Sequence, residues 1–190
     1  MKSFSLFLLV ALATNAFCSY PNVCPKILKK NLWAGKSPVN IDYVIIPVEY
    51  VVIHHTVTST CTSEVSCSNL LCNIQNYHMD ELKFNDIGYN FMIGGDGVVY
   101  EGAGWHKVGA HTYGYNSRSM GIAFVGNYVD KTPSEKMLKA LKDFLACSVE
   151  LGELSNRYKL IGGRQVISTE SPGLKLYQEL QKFPHFQRNP

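Results

Sequence analysis

One apolar strand that ends in two histidines constrains the fold of this chain more than any other segment. Val51, Val52 and Ile53 are β-branched residues in a row, which favours a strand buried on both faces. His54 and His55 follow directly, so the strand delivers two imidazoles to the end of a sheet. Because α/β proteins build their clefts at strand ends, we expect a site there. The alternative is that one histidine is a hydrogen-bonded core residue and the other is solvated.

The rest of the chain predicts a single α/β domain around this strand. Its 190 residues are enough for one domain with a substantial core but thin for two. Alternating and apolar runs predict further strands over residues 89–93, 98–100, 120–125 and 158–161. Helical periodicity predicts helices over 64–80, from a capping box at 132–135 through Val149, and from Pro172. We therefore predict a central mixed β-sheet flanked by about three α-helices.

The segment from Gly102 to Tyr115 predicts an exposed loop. It contains four glycines, two of the six histidines and Trp105, a composition typical of loops that carry function. The net charge of +3 is mild, and no cluster of Lys and Arg indicates a nucleic-acid groove.

The N-terminus indicates secretion. Lys2 gives a positive start, residues 4–13 form a short apolar run, and Ala16 and Cys18 supply the small residues of a cleavage site. The apolar run is too short to span a bilayer, and no later segment approaches that length. We predict a signal peptide over residues 1–18 and a mature extracellular domain over residues 19–190.

The cysteines are odd in number once the signal peptide is removed, which leaves Cys24, Cys61, Cys67, Cys72 and Cys147. Secretion places them in an oxidising compartment. Cys61 and Cys67 can close a tight ring, worth roughly 2 kcal/mol in loop-closure entropy. Cys24 and Cys147 would close most of the domain, worth about 5 kcal/mol if the geometry permits. Cys72 is then left over, as a small buried hydrophobe.

Several segments together resemble the peptidoglycan recognition protein family, whose fold is shared with bacteriophage-type N-acetylmuramoyl-L-alanine amidases. The matching segments are Ile53–Thr56, Cys61 to Cys67, Asn73–Asp80, Asn85–Phe91, Ile93–Gly97, Tyr100–Gly102, Gly109–His111 and Gly121–Phe124. The resemblance spans about residues 24 to 186. It is closest to short, secreted insect-type members that sense bacteria without acting as zinc amidases. The family's usual pairing implies the disulfides Cys61–Cys67 and Cys24–Cys147, with Cys72 free.

The resemblance also implies that the zinc site of the family's amidases is lost. Those amidases hold zinc with a histidine at the strand end, a histidine in a Gly-His-Arg segment and a cysteine before Pro-Gly, leaving a fourth position for an activated water. The first position falls on His54, but the second falls on Gly163 and the third on Ser171. One imidazole cannot hold catalytic zinc, so we expect no metal, no cofactor and no zinc amidase activity. Tyr89 matches the family's catalytic tyrosine and Thr169 an assisting position.

The resemblance implies that a groove for the muramyl-peptide stem is retained. The residues expected to line it are His54, His55, Phe84, Tyr89, Ala103, His111, Arg164, Thr169 and Ser171. Each of these could instead be ordinary loop or core. We assign Tyr77 and His78 to core packing.

The resemblance implies a preference for lysine-type over diaminopimelate-type peptidoglycan. Family members that bind the diaminopimelate type hold its extra carboxylate with an arginine in a Gly-Arg-Gly-Trp segment, near a Gly-Trp pair. Here the first segment is Gly102–Trp105 with Ala103 in place of the arginine, and the pair is Lys83-Phe84.

Three functions remain open from the sequence. The leading one is a secreted innate immune receptor that captures peptidoglycan and passes the signal to extracellular proteins of a protease cascade, with neither a membrane span nor nucleic-acid binding. The second is a residual peptidoglycan hydrolase or peptidase in which Ser171 and His54 react as a pair, which requires hydrogen-bond reach, an orienting third group and an oxyanion hole. The third is a regulatory module that binds protein partners through the same surface.

Overall fold

A six-stranded mixed sheet lies at the centre of the computed structural model, which describes residues 24–190. Its strands are β1 Ile27–Leu28, β2 Val48–His55, β3 Phe91–Ile93, β4 Val99–Glu101, β5 Ser119–Phe124 and β6 Leu154–Gly162. Their order is β1-β4-β3-β5-β2-β6, and neighbours are parallel except for the β3–β4 hairpin. The predicted signal peptide, residues 1–18, lies outside the described residues.

Strand β2 runs through the interior of the sheet, as predicted. It pairs with β5 on one side and β6 on the other, and Val51, Val52 and Ile53 are fully buried. Because β2, β5 and β6 are parallel, their carboxyl ends meet at one end of the sheet. His54 and His55 lie at that end, and both imidazoles line the cleft that the strand ends form.

Three α-helices cover the sheet in the described part of the chain: α1 Glu64–Asn76, α2 Glu135–Glu150 and α3 Leu174–Leu180. Helix α1 packs on one face, where Leu71 and Ile74 join a cluster with Met92 of β3. Helices α2 and α3 cover the other face, where Phe144 and Leu176 join the cluster around Ile53. No helix among residues 24–190 is long and apolar enough to span a membrane.

The helix ends differ from the predictions in three places. The predicted first helix passes at Tyr77–Glu81 into a π-helical turn. The predicted capping box required Thr132 as the N-cap of helix α2, but the helix begins at Glu135 with Ser134 as its N-cap. Helix α3 begins at Leu174, because Gly173 has a φ of 86° and lies outside helical geometry.

Residues 102–115 form a loop as predicted, and Tyr113 is 92% exposed, but the first part of the loop packs into the protein. Ala103 is buried, and the Trp105 ring packs 4.4 Å from Phe91 and 5.2 Å from Phe144, measured between ring centroids. Gly102 serves close packing, since a Cβ there would lie 2.2 Å from the carbonyl oxygen of Tyr89, whereas Gly114 has a φ of 80° and open space around it. Composition alone does not separate a glycine needed for a turn from one needed for close approach.

Two disulfides have the predicted pairing. Cys61–Cys67 ties the segment before α1 to the first turn of that helix, and Cys24–Cys147 ties the N-terminal arm to α2 across 123 residues of sequence. Cys72 is unpaired among the described residues and half-buried, with its Sγ 3.2 Å from the carbonyl oxygen of Trp33.

Candidate functional site

A cleft of about 780 Å³ opens where β2 ends. Helix α1 and its π-helical turn form one wall, and the segment before α3 forms the other. Six of the nine predicted groove residues line this cleft: His54, His55, Tyr89, His111, Thr169 and Ser171. The fold therefore brings together residues that are more than 100 positions apart in the sequence.

The other three predicted groove residues lie around the cleft without lining it. Phe84 packs behind the cleft-lining residue His78, with 5.5 Å between ring centroids. Ala103 is buried at a separate cavity of about 180 Å³. Arg164 is exposed, and its guanidinium carbon lies 5.4 Å from the ring centroid of Tyr177.

The assignment of Tyr77 and His78 to the core was wrong, because both line the cleft. Tyr77 is 55% exposed. The physical reason is the π-helical turn that begins at Tyr77, since a wider turn breaks the 3.6-residue period from which the core assignment came. The only sequence signal was the polar imidazole of His78 at the end of an apolar stripe.

A row of hydrogen bonds connects four side chains at the floor of the cleft. His54 Nδ1 lies 3.1 Å from Ser171 Oγ, and His54 Nε2 lies 2.8 Å from Thr112 Oγ1. Thr112 Oγ1 also lies 2.9 Å from His111 Nδ1. The backbone amide of His55 donates to Ser171 Oγ at 3.2 Å. Thr112 is buried, and sequence reasoning missed it because nothing in its neighbourhood marks it apart from the adjacent His111.

Backbone amides fix the tautomers of two further cleft histidines. The amide of Tyr128 donates to His55 Nδ1 at 3.2 Å, and the amide of Gly88 donates to His78 Nδ1 at 2.9 Å. A neutral imidazole accepts a hydrogen bond at only one nitrogen, so the ring proton of each is on Nε2. His55 and His78 therefore each offer an N–H donor to a ligand in the cleft.

Burial favours the uncharged forms of the cleft histidines and of Tyr89 near neutral pH. Burial, and next to it the charge of His55, lowers the pKa of His54 to about 4. Burial lowers the pKa of His111 well below the usual histidine value. It also lowers the pKa of His78. Burial also lowers the pKa of His55, against an opposing effect of Glu170, and raises the pKa of Tyr89 to about 12. The floor of the cleft thus presents neutral hydrogen-bonding groups.

The side chains around His54 do not form a metal site. Both of its ring nitrogens are hydrogen-bonded to hydroxyl groups. Gly163 lies against the ring, where a Cβ would be 2.6 Å from His54 Cε1, but glycine supplies no ligand atom. Among residues 24–190, no group of three or more His, Cys, Asp or Glu side chains is placed to hold a metal ion.

Comparison with known proteins agrees with this geometry. Residues 46–174 match the family described as N-acetylmuramoyl-L-alanine amidase. The solved structure of the Drosophila peptidoglycan recognition protein SA is 57% identical in sequence and superposes with a TM-score of 0.87, covering 88% of this chain and 96% of that chain. The chain belongs to the peptidoglycan recognition protein family. Peptidoglycan-recognition protein 2 of Holotrichia diomphalia is 53% identical over 191 residues, which is 100% of both chains.

Other members of the peptidoglycan recognition protein family have been solved with a ligand. The ectodomain complex of the family members LCa and LCx was solved with tracheal cytotoxin bound. The matching chain of that structure is 44% identical in sequence to this chain. The two superpose with a TM-score of 0.84, covering 85% of this chain and 98% of the other. These matches confirm the predicted family and its α/β fold.

Proposed function

We propose that this protein is a secreted pattern-recognition receptor of innate immunity that binds bacterial peptidoglycan and triggers downstream immune signalling. The observation that carries the proposal is the open cleft, in which neutral imidazole, hydroxyl and phenol groups converge at one end of the sheet. Such a surface suits reversible recognition of a glycopeptide. Membership of a family of recognition proteins supports the same function.

The muramyl-peptide stem is the proposed ligand of the cleft. The six cleft-lining residues predicted from the sequence would contact it directly. Phe84 would act by supporting the ring of His78, and Ala103 and Arg164 would act from the margins.

We infer that the protein has no zinc amidase activity. The positions that match the second and third zinc ligands are Gly163 and Ser171, which leaves His54 as the single imidazole of the expected set. The hydrogen bonds from His54 to two hydroxyl groups support this inference, since they occupy both of its ring nitrogens.

The approach of Ser171 Oγ to within 3.1 Å of His54 Nδ1 favours a second function, hydrolysis by a Ser–His pair. The orienting group on the other side of His54 is the hydroxyl of Thr112, which cannot stabilise an imidazolium as a carboxylate would. A histidine with a pKa of about 4 is also a weak general base near neutral pH. Recognition is therefore the function that we propose, and hydrolysis is an outcome that its test can detect.

The test is retention of the purified protein on insoluble peptidoglycan. We compare the wild type with His55→Phe, which keeps a ring but removes the N–H donor, and with Lys142→Ala, an exposed position on α2. The wild type and Lys142→Ala should be retained equally, and His55→Phe should bind roughly three- to tenfold more weakly. Absence of retention would indicate a regulatory module that binds proteins only. Peptide fragments released by the wild type but not by Ser171→Ala would indicate a hydrolase.

We also propose that the lysine type of peptidoglycan is preferred. The arginine that would bind the extra carboxylate of the diaminopimelate type is replaced by Ala103. Lys83 is a competing cation for that carboxylate, and the bond that its Nζ donates to the carbonyl oxygen of Asp80 at 2.6 Å supports the preference by holding the ammonium on its own turn. A carboxylate bound without its partner costs about 1–3 kcal/mol, which is roughly a five- to hundredfold preference.

Matched muropeptides of the two types test this preference. The unmodified protein should bind the lysine form more tightly, and Ala103→Arg should improve binding of the diaminopimelate form at least about fivefold. Ala103→Met is the control for added length without charge. Equal or tighter binding of the diaminopimelate form by the unmodified protein would contradict the proposed preference and leave the family assignment unchanged.

The proposed partners beyond peptidoglycan are extracellular proteins of an immune protease cascade, and the proposed location is extracellular. The predicted signal peptide and the two disulfides support secretion, because disulfides persist in oxidising compartments.

A further inference from the structure

The four residues at the floor of the cleft form one continuous chain of hydrogen bonds, Ser171–His54–Thr112–His111, called here the floor chain. Its central member, Thr112, is 1% exposed, and its Oγ1 lies between two imidazole nitrogens. A hydroxyl has one proton and two lone pairs, and a proton donated to neither ring would be buried without a partner, so Thr112 donates to one ring and accepts from the other. Both rings are neutral near pH 7, and each therefore carries one N–H.

This arrangement couples the tautomers of His54 and His111. If Thr112 donates to His111 Nδ1, His54 carries its proton on Nε2 and accepts the proton of Ser171 at Nδ1. If Thr112 donates to His54 Nε2, His54 carries its proton on Nδ1 and donates it to Ser171 Oγ. The floor chain consequently has only two ordered states, which run in opposite directions.

The two states differ at their ends. The Nε2 of His111 is buried and has no hydrogen-bond partner among residues 24–190. In the first state this atom is an orphaned N–H donor, and in the second state it is a bare nitrogen. Orphaned buried N–H groups are rarer in proteins than under-satisfied acceptors, which favours the second state.

The other end of the floor chain favours the same state. Ser171 Oγ accepts from the amide of His55 at 3.2 Å and can also accept from His54 Nδ1 at 3.1 Å. Its own proton is then directed away from both donors. Ser171 lines the cleft, so water or a ligand can accept this proton.

We propose that the floor chain runs from His111 through Thr112 and His54 to Ser171, which makes the Ser171 hydroxyl a hydrogen-bond donor to the ligand. With the Nε2–H groups of His55 and His78, it forms a set of three donors that suits the acceptor oxygens of a ligand, such as the carbonyl and carboxylate groups of a peptide. Thr112 is a positioning residue in this arrangement. The ligand part of the inference rests on the proposed function.

The same direction removes His54 as a base for Ser171. The Nδ1 that faces Ser171 already carries a proton, so it cannot take the hydroxyl proton. The floor chain thus accounts for recognition without hydrolysis at a Ser–His pair that is within hydrogen-bonding distance.

Nitrogen-15 NMR of histidine-labelled protein tests the direction without any ligand. Long-range proton–nitrogen spectra distinguish the two neutral tautomers of each ring. We expect Nδ1–H for His54 and His111, and Nε2–H for His55 and His78. An Nε2–H tautomer at His54 would overturn the proposal.

Two matched variants test the positioning role of Thr112. Thr112→Ser keeps the hydroxyl and should keep the tautomers of both rings. Thr112→Val keeps the shape but removes the acceptor of the His111 Nδ1–H, so His111 should lose its preference for Nδ1–H. Binding of a purified muramyl peptide should weaken roughly three- to tenfold in Ser171→Ala, but not in Thr112→Ser. An unchanged His111 tautomer in Thr112→Val would contradict the role of Thr112. Wild-type protein with the expected tautomers but no muramyl-peptide binding would contradict the proposed function and still support the direction of the floor chain.

Discussion

At the scale of single residues, the charge state of the cleft depends on burial. His54 is 4% exposed, and its pKa of about 4 lies below the ordinary histidine value of 6.5. The folded protein therefore resists protonation at a pH where the unfolded chain accepts it. This difference couples the stability of the protein to pH.

Replacement of His54 by glutamine should flatten this pH dependence. Because the folded pKa is lowered, the stabilising contribution is fully present above pH 6.5 and is lost as the pH falls towards 4. The shift corresponds to about 3 kcal/mol of unfolding free energy. Urea unfolding at several pH values between 7 and 4 measures the unfolding free energy of both proteins. The difference between the two curves isolates the contribution of His54, because the other titrating groups are the same in both. Parallel pH curves for the two proteins would contradict the prediction.

The sequence predicted cleft-lining residues correctly where they stand in a segment that matches the family. His54, Tyr89 and Ser171 stand in such segments and line the cleft. His78 and Thr112 were missed because their roles arise from tertiary geometry. A π-helical turn exposes the first, and a hydrogen bond to a histidine distant in sequence defines the second.

At the scale of elements, the parallel strand ends decide which residues meet. Strand β6 ends at Gly162, so Gly163 lies against His54, and the segment before α3 returns Ser171 to the same ring. The position of the cleft could be predicted from the sequence, because it lies at the end of the strand that carries His54. The first and last residues of the helices were harder to predict. A π-helical turn and the positive φ of Gly173 are backbone features that apolar periodicity does not report.

The double variant Gly163→His with Ser171→Cys should create a zinc site. The two new ligands would join His54, completing a set of three side chains with an open fourth position. The His54 ring must shift, since a Cβ on residue 163 would lie 2.6 Å from its Cε1. Metal analysis should find about one zinc per chain in the variant and none in the wild type or in Gly163→Ala with Ser171→Cys. Tightly held stoichiometric zinc in the wild type would contradict the assignment of Gly163 and Ser171.

The two disulfides should differ in their contribution to stability. Cys24–Cys147 spans 123 residues and Cys61–Cys67 spans 6, so loop-closure entropy gives about 5 and about 2 kcal/mol. Serine replacements of each pair, compared by denaturant unfolding, measure the two contributions. A larger loss from the short ring would show that local structure at the start of α1, and not chain entropy, determines its effect.

At the scale of the whole molecule, the order of many short segments predicted the family and the fold together. No single segment identifies the family. The order of the segments along the chain, around the buried strand, fits one α/β sheet with helices on both faces. The loop at residues 102–115 was predicted only in part, because Gly102 serves close packing whereas Gly114, with a φ of 80° and open space around it, serves a turn.

The mature protein should begin at Ser19 and contain one free thiol. Cleavage after residue 18 removes Cys18, and the two disulfides leave Cys72. Intact mass spectrometry after alkylation under denaturing, non-reducing conditions should show a single added label. Peptide mapping that links Cys72 to another cysteine would contradict the prediction.

The fixed tautomers of His55 and His78 have a kinetic consequence. Main-chain amides set both donor directions before any ligand arrives, so these rings require no reorientation when a ligand binds. Muropeptides that differ only in the stem should then associate at similar rates. The protein would then distinguish muropeptides by the dissociation rates of their complexes, so discrimination between bacterial walls depends on residence time.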